Sequence, residues 1–313
     1  MKGIFKHTWI IMLGILVSGM IFSCSKDDDK GGGVIDQSNQ NSNIWANKPD
    51  AMRLEVPALR RSSGSYFIVH YAQMNNSNST KVFNYCLEFD SLNTHSRWVA
   101  FCFDDTTKVK NVGRSNEPFD ADPMVPSACR IGNTAYSGTG YTRGHLCASA
   151  DRLFSTEGNE QTFYMSNMSP QEYNFNSYYW AQLETLIRDW AYSGKFKKLY
   201  VCKGGTINSW QQLGQFTTTN INGKYVKVTI PKFYFMAILG ETPSKTYQSI
   251  GFWVEHKNYG YGGGNYPRKD VMQDHAMSID DLEEKTGIDF FCNLNDAAEK
   301  VVEKSYNLKA WTW

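Results

Sequence analysis

The apolar positions of this chain change period along its length, and the changes mark its elements. Runs rich in β-branched and aromatic residues predict strands at "SYFIVHY" (65–71), "KVFNYCLEF" (81–89), "RWVAFCF" (97–103), "KLYVCKG" (198–204), "YVKVTIPKFYFMAIL" (225–239) and "SIGFWVEH" (249–256). Between the third and fourth run, Trp180, Leu183, Ile187 and Trp190 recur every three or four positions and predict a helix over 177–192. A second, short helix is predicted from Ser278, where "SIDDLEEKTG" has a serine cap, acids in its first turn and a glycine stop. There is no internal repeat and no second linker, so 48–313 is expected to form one α+β domain around a mixed sheet core.

Ahead of residue 48 the pattern is different. "MKGIFKHTWIIMLGILVSGMIFSC" joins a basic start, Lys2 and Lys6, to an apolar stretch over 9–22. That stretch is shorter than the ~20 residues a transmembrane helix needs and reads as a secretory signal. "IFSC" resembles a bacterial lipobox, which implies a signal segment over 1–24 and a lipid on Cys24. Over 25–47 almost nothing is apolar, so a disordered tether is expected. Its "SKDDD" resembles the acidic export signal of some Gram-negative lipoproteins. Together these features point to an exported domain, lipid-anchored to the bacterial outer membrane; the acidic run is compatible with surface display and equally with a plain solvated linker.

Composition narrows the chemistry. At 313 residues and 41% hydrophobic, the chain can bury a full-sized core. A formal net charge of +1 excludes a strongly basic nucleic-acid coat, so any phosphate recognition is local. Setting Cys24 aside leaves six cysteines, an even number that permits disulfides in an exported protein without fixing a pairing. No CxxC pair occurs, which argues against a structural zinc site, and Cys86, Cys102 and Cys202 lie in apolar runs that suit small buried hydrophobes. "NYGYGGGNYP" (258–267) lacks the Gly-Lys-Ser/Thr of a phosphate loop and is expected to be a flexible surface loop. His70, His95, His256 and His275 show no metal spacing and are expected to be structural or at the surface.

Two windows carry chemistry. "YTRGHLCASADR" (141–152) places Arg143, Gly144 and His145 at the end of a short predicted strand, where a glycine lets a backbone or ligand approach. "FYMSNMSPQEYNFNSYYWAQLE" (163–184) crosses a Ser-Pro turn and an asparagine-rich loop before entering the long helix. Asn176 sits where that helix begins, and Glu184 follows roughly 12 Å further along the axis on the same side. An amide oxygen and a carboxylate facing one cleft suit a hard divalent cation; Asn176 as a plain helix N-cap fits the same position.

Taken together, the windows and their spacing resemble the DNA/RNA non-specific endonucleases of the ββα-metal (His-metal finger) superfamily, the endonuclease G-like nucleases. The family pattern runs Asp-Arg-Gly-His, then Asn-x-x-Pro-Gln, then an Asn at a helix start and a Glu two turns further in. The matching residues are Arg143-Gly144-His145, Asn167 in "SNMSPQ", Asn176 and Glu184, with Arg114 in "GRSNEPF" at the place of another active-site arginine. "VTIPKFYF" and "SIDDLEEKTGIDFF" resemble further family segments, and the likeness covers about residues 80–295. Two positions depart from it: Thr142 stands for the family's leading Asp, and Met236 for a lysine common in that strand.

The resemblance implies a ββα-metal catalytic motif that hydrolyses phosphodiester bonds in DNA and RNA with little sequence preference. Asn176 would bind Mg²⁺, with Mn²⁺ as a substitute; His145 would act as general base, and Arg143 and Arg114 would clamp phosphate. Glu184 would hold metal-bound waters and Asn167 would shape the cleft. No organic cofactor is called for, and a homodimer is compatible with the sequence. Two other readings use the same residues: a weak or inactive surface lipoprotein binding nucleic acid, glycan or a protein partner, which Thr142 favours, and a phosphodiesterase of small nucleotides.

Overall fold

The computed structural model describes residues 38–75, 80–116 and 118–313; the signal segment, Cys24 and the first part of the tether lie outside them. The strands are β1 (Ser65–Gln73), β2 (Lys81–Asp90), β3 (His95–Phe103), β4 (Thr142–His145), β5 (Met168–Gln171), β6 (Lys198–Gly205), β7 (Gln212–Thr219), β8 (Tyr225–Pro231), β9 (Phe233–Glu241), β10 (Tyr247–Glu255) and β11 (Ala276–Met277). The α-helices are α1 (Thr156–Glu160), α2 (Ala181–Tyr192), α3 (Lys269–Gln273), α4 (Ile279–Thr286) and α5 (Asp296–Glu303). Seven strands form one antiparallel sheet in the order β1-β2-β3-β6-β9-β10-β11. This is the mixed α+β architecture that the pattern predicts.

Both faces of the sheet are covered, which is why its strands read as continuous apolar runs rather than alternations. On one face Tyr85, Phe101, Val201, Ile238 and Phe252 pack with Leu183, Ile187 and Trp190 of α2. On the other, Trp98, Cys202, Phe235 and Leu239 pack with Ile279 and Leu282 of α4 and with Phe290. Central β3 is buried at all nine positions. Each large apolar side chain so buried contributes roughly 1.5–3 kcal/mol.

One expectation is corrected and three are filled in. The run 225–239 is two strands: Pro231, which has no N–H to donate, ends β8 in a hairpin with β7, and the chain re-enters the main sheet as β9. Within the expected tether, Asn43–Ala46 forms a 3₁₀ turn. Fully buried Asn43 donates to the carbonyls of Ala51 and Pro57 and accepts from Leu59 N–H, so side-chain amides do the work that apolar residues do elsewhere. The six cysteines of the described residues are all free and buried. The 258–267 loop is fastened to the helix below it, with Tyr259 stacked on Tyr179 at 4.4 Å and Tyr266 against Tyr178 at 5.4 Å.

Three of the isolated histidines are structural. His70 pairs with buried Asp122 at 3.0 Å, and His95 is buried between Ser96 and Ser169. His256 accepts a hydrogen bond from Glu172 N–H on Nε2, so its proton is on Nδ1, donated to the Pro231 carbonyl.

Candidate active site

The short strands β4 and β5 pair antiparallel, with Thr142 opposite Gln171, Gly144 opposite Ser169 and His145 opposite Met168. They lead into the long helix, which completes a ββα unit. Gly144 is required by space: a Cβ there would lie 2.1 Å from Oε1 of buried Gln171. The glycine thus lets the ribbon close with His145 at its end, and Trp180 Nε1 ties the His145 carbonyl to the helix at 3.3 Å.

The helix does not begin as the 177–192 prediction has it. Residues Phe175–Trp180 form a π-helical segment that continues into α2. Glu172 starts it, its carboxylate accepting from Phe175 N–H and its carbonyl from Asn176 N–H. The wider turn buries Phe175, Tyr179 and Trp180 together. Asn176 therefore lies inside the helix and does not cap it. Its Nδ2 donates to Thr142 Oγ1 at 2.9 Å, and Thr142 Oγ1 donates to the Gln171 carbonyl at 2.9 Å. This relay holds the carboxamide in place; Oδ1 accepts no hydrogen bond from the described residues.

His145 sits against two aromatic rings, Phe119 at 5.7 Å and Phe163 at 5.2 Å, which also contact each other. Each ring carries a guanidinium: Arg143 lies 4.3 Å from the Phe119 centroid and Arg114 5.0 Å from that of Phe163. Two cations thus flank one imidazole, each with its side chain braced by stacking. Arg143 is further held by the Asn133 carbonyl at 2.7 Å. The His145 ring is partly buried, and its Nε2 is shielded from solvent without a hydrogen-bond partner. Burial first, then Arg114 and Lys203, push its pKa down to about 3, so the free imidazole is neutral near pH 7.

Behind the histidine lies a charge network that the sequence reading missed. Lys203 of β6, fully buried, places Nζ 3.2 Å from Glu184 and 3.5 Å from Asp151, while Arg188 of α2 reaches Asp151 at 2.9 Å. Burial alone would raise both acids. Two cations outweigh it at Asp151, which is held below the ordinary carboxylate range; Glu184 has mainly Lys203 in its favour and stays raised. Only one sign was available in the sequence: Lys203 falls on the same face of β6 as Leu199 and Val201.

Asn167 belongs to the scaffold rather than to the cleft surface. It is fully buried, and its carboxamide accepts from Cys147 N–H and donates to the carbonyls of Cys147 and Thr162. It pins the segment that follows His145. Of the sequence-derived set, then, His145, Arg143 and Arg114 converge on the Phe119–Phe163 pair, Asn176 is joined to the ribbon through Thr142, and Glu184 is connected through Lys203.

Known proteins resemble this chain over most of its length. The family model for DNA/RNA non-specific endonucleases matches residues 62–297. The mitochondrial nuclease EXOG of Mus musculus is 27% identical over 224 residues, 68% of this chain and 56% of that protein, so the match spans little more than half of that relative. Nuclease C1 of Cunninghamella echinulata is 31% identical over 186 residues, covering 59% of this chain and 70% of that one. A Nostoc nuclease is 29% identical over 225 residues, covering 70% and 75%. The crystal structure of an EndoG/EndoGI complex superposes with a TM-score of 0.56 at 22% identity, covering 74% of this chain and 89% of that chain, which is a likeness of fold. With its ββα unit in place and most of its length matched, the chain belongs to the DNA/RNA non-specific endonuclease family.

Proposed function

We propose that this protein is a divalent-metal-dependent endonuclease that hydrolyses phosphodiester bonds in DNA and RNA with little sequence preference. The observation that carries this reading is the convergence of His145, Arg143 and Arg114 on one aromatic pair. His145 takes a proton from the attacking water. Arg143 and Arg114 fork to phosphate oxygens and stabilise the charge of the five-coordinate transition state.

The donor set fits a hard cation. Asn176 offers a carboxamide oxygen without a protein partner, anchored through its own nitrogen, and Glu184, held by Lys203, would accept from metal-bound waters. Asn176 would hold Mg²⁺, or Mn²⁺ in its place, and the bound ion would supply Lewis-acid neutralisation of the phosphate and leaving oxygen. Thr142 supports catalysis over the binding-only reading, because its hydroxyl positions Asn176 from the place of the family Asp.

Beside the arginine an open pocket of about 350 Å³ is lined by Phe119, Tyr136, Tyr141, Thr142 and Arg143. Aromatic walls beside one guanidinium suit a base stacked without readout of its edges, in line with weak sequence preference. From the signal-like and acidic first residues we place the activity outside the cytoplasm, tethered through a lipid on Cys24; palmitate labelling lost in Cys24→Ala tests this.

The decisive test is cleavage of plasmid DNA and total RNA by the purified protein with Mg²⁺. Cleavage to 5′-phosphorylated oligonucleotides, abolished by EDTA, His145→Ala and Asn176→Ala, is expected. A well-folded protein that binds both polymers but cuts neither over a broad range of metals and pH would replace this reading with a binding protein.

A further inference from the structure

Far along the chain from the cleft residues, α4 and α5 bring acids together with no cation to balance them. Asp280 and Glu283 are one turn apart on α4, and Glu303 is the last residue of α5; one oxygen from each lies within 4.8 Å of the others. Glu303 is only 6% exposed, and its Oε1 is shielded from solvent with no hydrogen-bond partner among the described residues. No Lys or Arg of the described residues forms an ion pair with any of the three.

The neighbouring acids are already satisfied: Asn41 Nδ2 reaches Glu299 at 2.8 Å and Asp289 at 3.2 Å. Glu303 also ends its helix, where the backbone carbonyls present partial negative charge and favour a cation. A buried, unpaired acid in such company is costly to ionise unless an ion neutralises it.

We infer that Asp280, Glu283 and Glu303 form a structural calcium site that clamps α5 onto α4, separate from the catalytic cleft. Oxygens no more than 4.8 Å apart can share one ion at the 2.3–2.6 Å bond lengths of Ca²⁺, which accepts irregular oxygen geometry where Mg²⁺ demands a near-ideal octahedron. Exposure falls from Asp280 through Glu283 to Glu303, which leaves an open side for ion exchange.

The test is thermal unfolding and calorimetric titration of the EDTA-stripped full chain with CaCl₂, in wild type and in Asn176→Ala. Calcium is expected to raise Tm by about 5 °C in both at concentrations well above Kd. Glu303→Gln and the exposed Asp280→Asn should each lose most of that shift, and Glu303→Gln should keep Mg²⁺-dependent cleavage. The site is refuted by a wild-type Tm indifferent to calcium, by a shift that survives both carboxylate substitutions, or by one that disappears in Asn176→Ala, which would put the ion in the cleft.

Discussion

Lys203 on β6 stands directly across the ladder from Met236 on β9, and its ammonium lies between the carboxylates of Asp151 and Glu184. Residues opposite each other in an antiparallel pair face the same side of a sheet. A cation at the Met236 position, which the family resemblance leads one to expect, would therefore share its compartment with Lys203 of the neighbouring strand.

Lys203→Met should leave two buried acids without that cation and cost about 3–5 kcal/mol in urea unfolding. Adding Met236→Lys should restore a substantial part, because the new ammonium enters from the paired position. A double variant no more stable than Lys203→Met would show that the two positions are not equivalent.

The pH profile should report His145. Its pKa is pushed down to about 3 by burial, then by Arg114 and Lys203. In the proposed mechanism the catalytic form is the neutral ring, lost only as pH falls through that value. The acid limb of kcat/KM is therefore expected well below the ordinary imidazole value of about 6.5, and Arg114→Met should move it upward. In stability the sign is related: the unfolded ring takes its proton first, so this site withdraws stability as pH falls below about 6.5. A limb unmoved in Arg114→Met would remove the arginine from the vicinity of the base.

Thr142→Val should break the relay to Asn176 with little change in fold, since one hydrogen-bonding hydroxyl contributes about 1 kcal/mol. The expected signature is an Mg²⁺ requirement raised by about tenfold or more in cleavage assays, while Thr142→Ser behaves as wild type. Equal metal response in valine and threonine forms would mean that Asn176 is held by other means.

Gly144→Ala should force the β4–β5 ribbon apart at Gln171, costing about 1–3 kcal/mol and most of the activity. Pairing it with Gln171→Ala should recover part of the stability. If Gly144→Ala alone is neutral in melting temperature, the side chain of Gln171 moves more freely than its burial suggests.

The parts of this molecule that were legible in its sequence are those in which neighbouring residues share a task. Apolar runs mark β2, β3, β6 and β10 because both faces of the sheet are covered there, and the Ser278 cap and Gly287 stop bound α4 as their chemistry requires. The "TRGH" and asparagine windows lie close enough in the chain to be read together. What stayed hidden depends on distant contacts. Lys203 and Asp151 meet across 52 positions, and the π-helical turn follows from how Phe175 and Tyr179 pack against later residues. The hairpin strand β7, with only Leu213 and Phe216 apolar in its eight residues, offers too little apolar contrast to be seen.

The six unpaired cysteines have a practical meaning. Burial raises the pKa of each one. The folded domain therefore matures without an oxidant, and reductant should leave its melting temperature unchanged. Each thiol also becomes a silent reporter: a water-soluble disulfide reagent should label them only when the surrounding layer opens. The rates at Cys292, under the N-terminal segment, and at Cys147, beside His145, would time the opening of the two sides of the sheet independently.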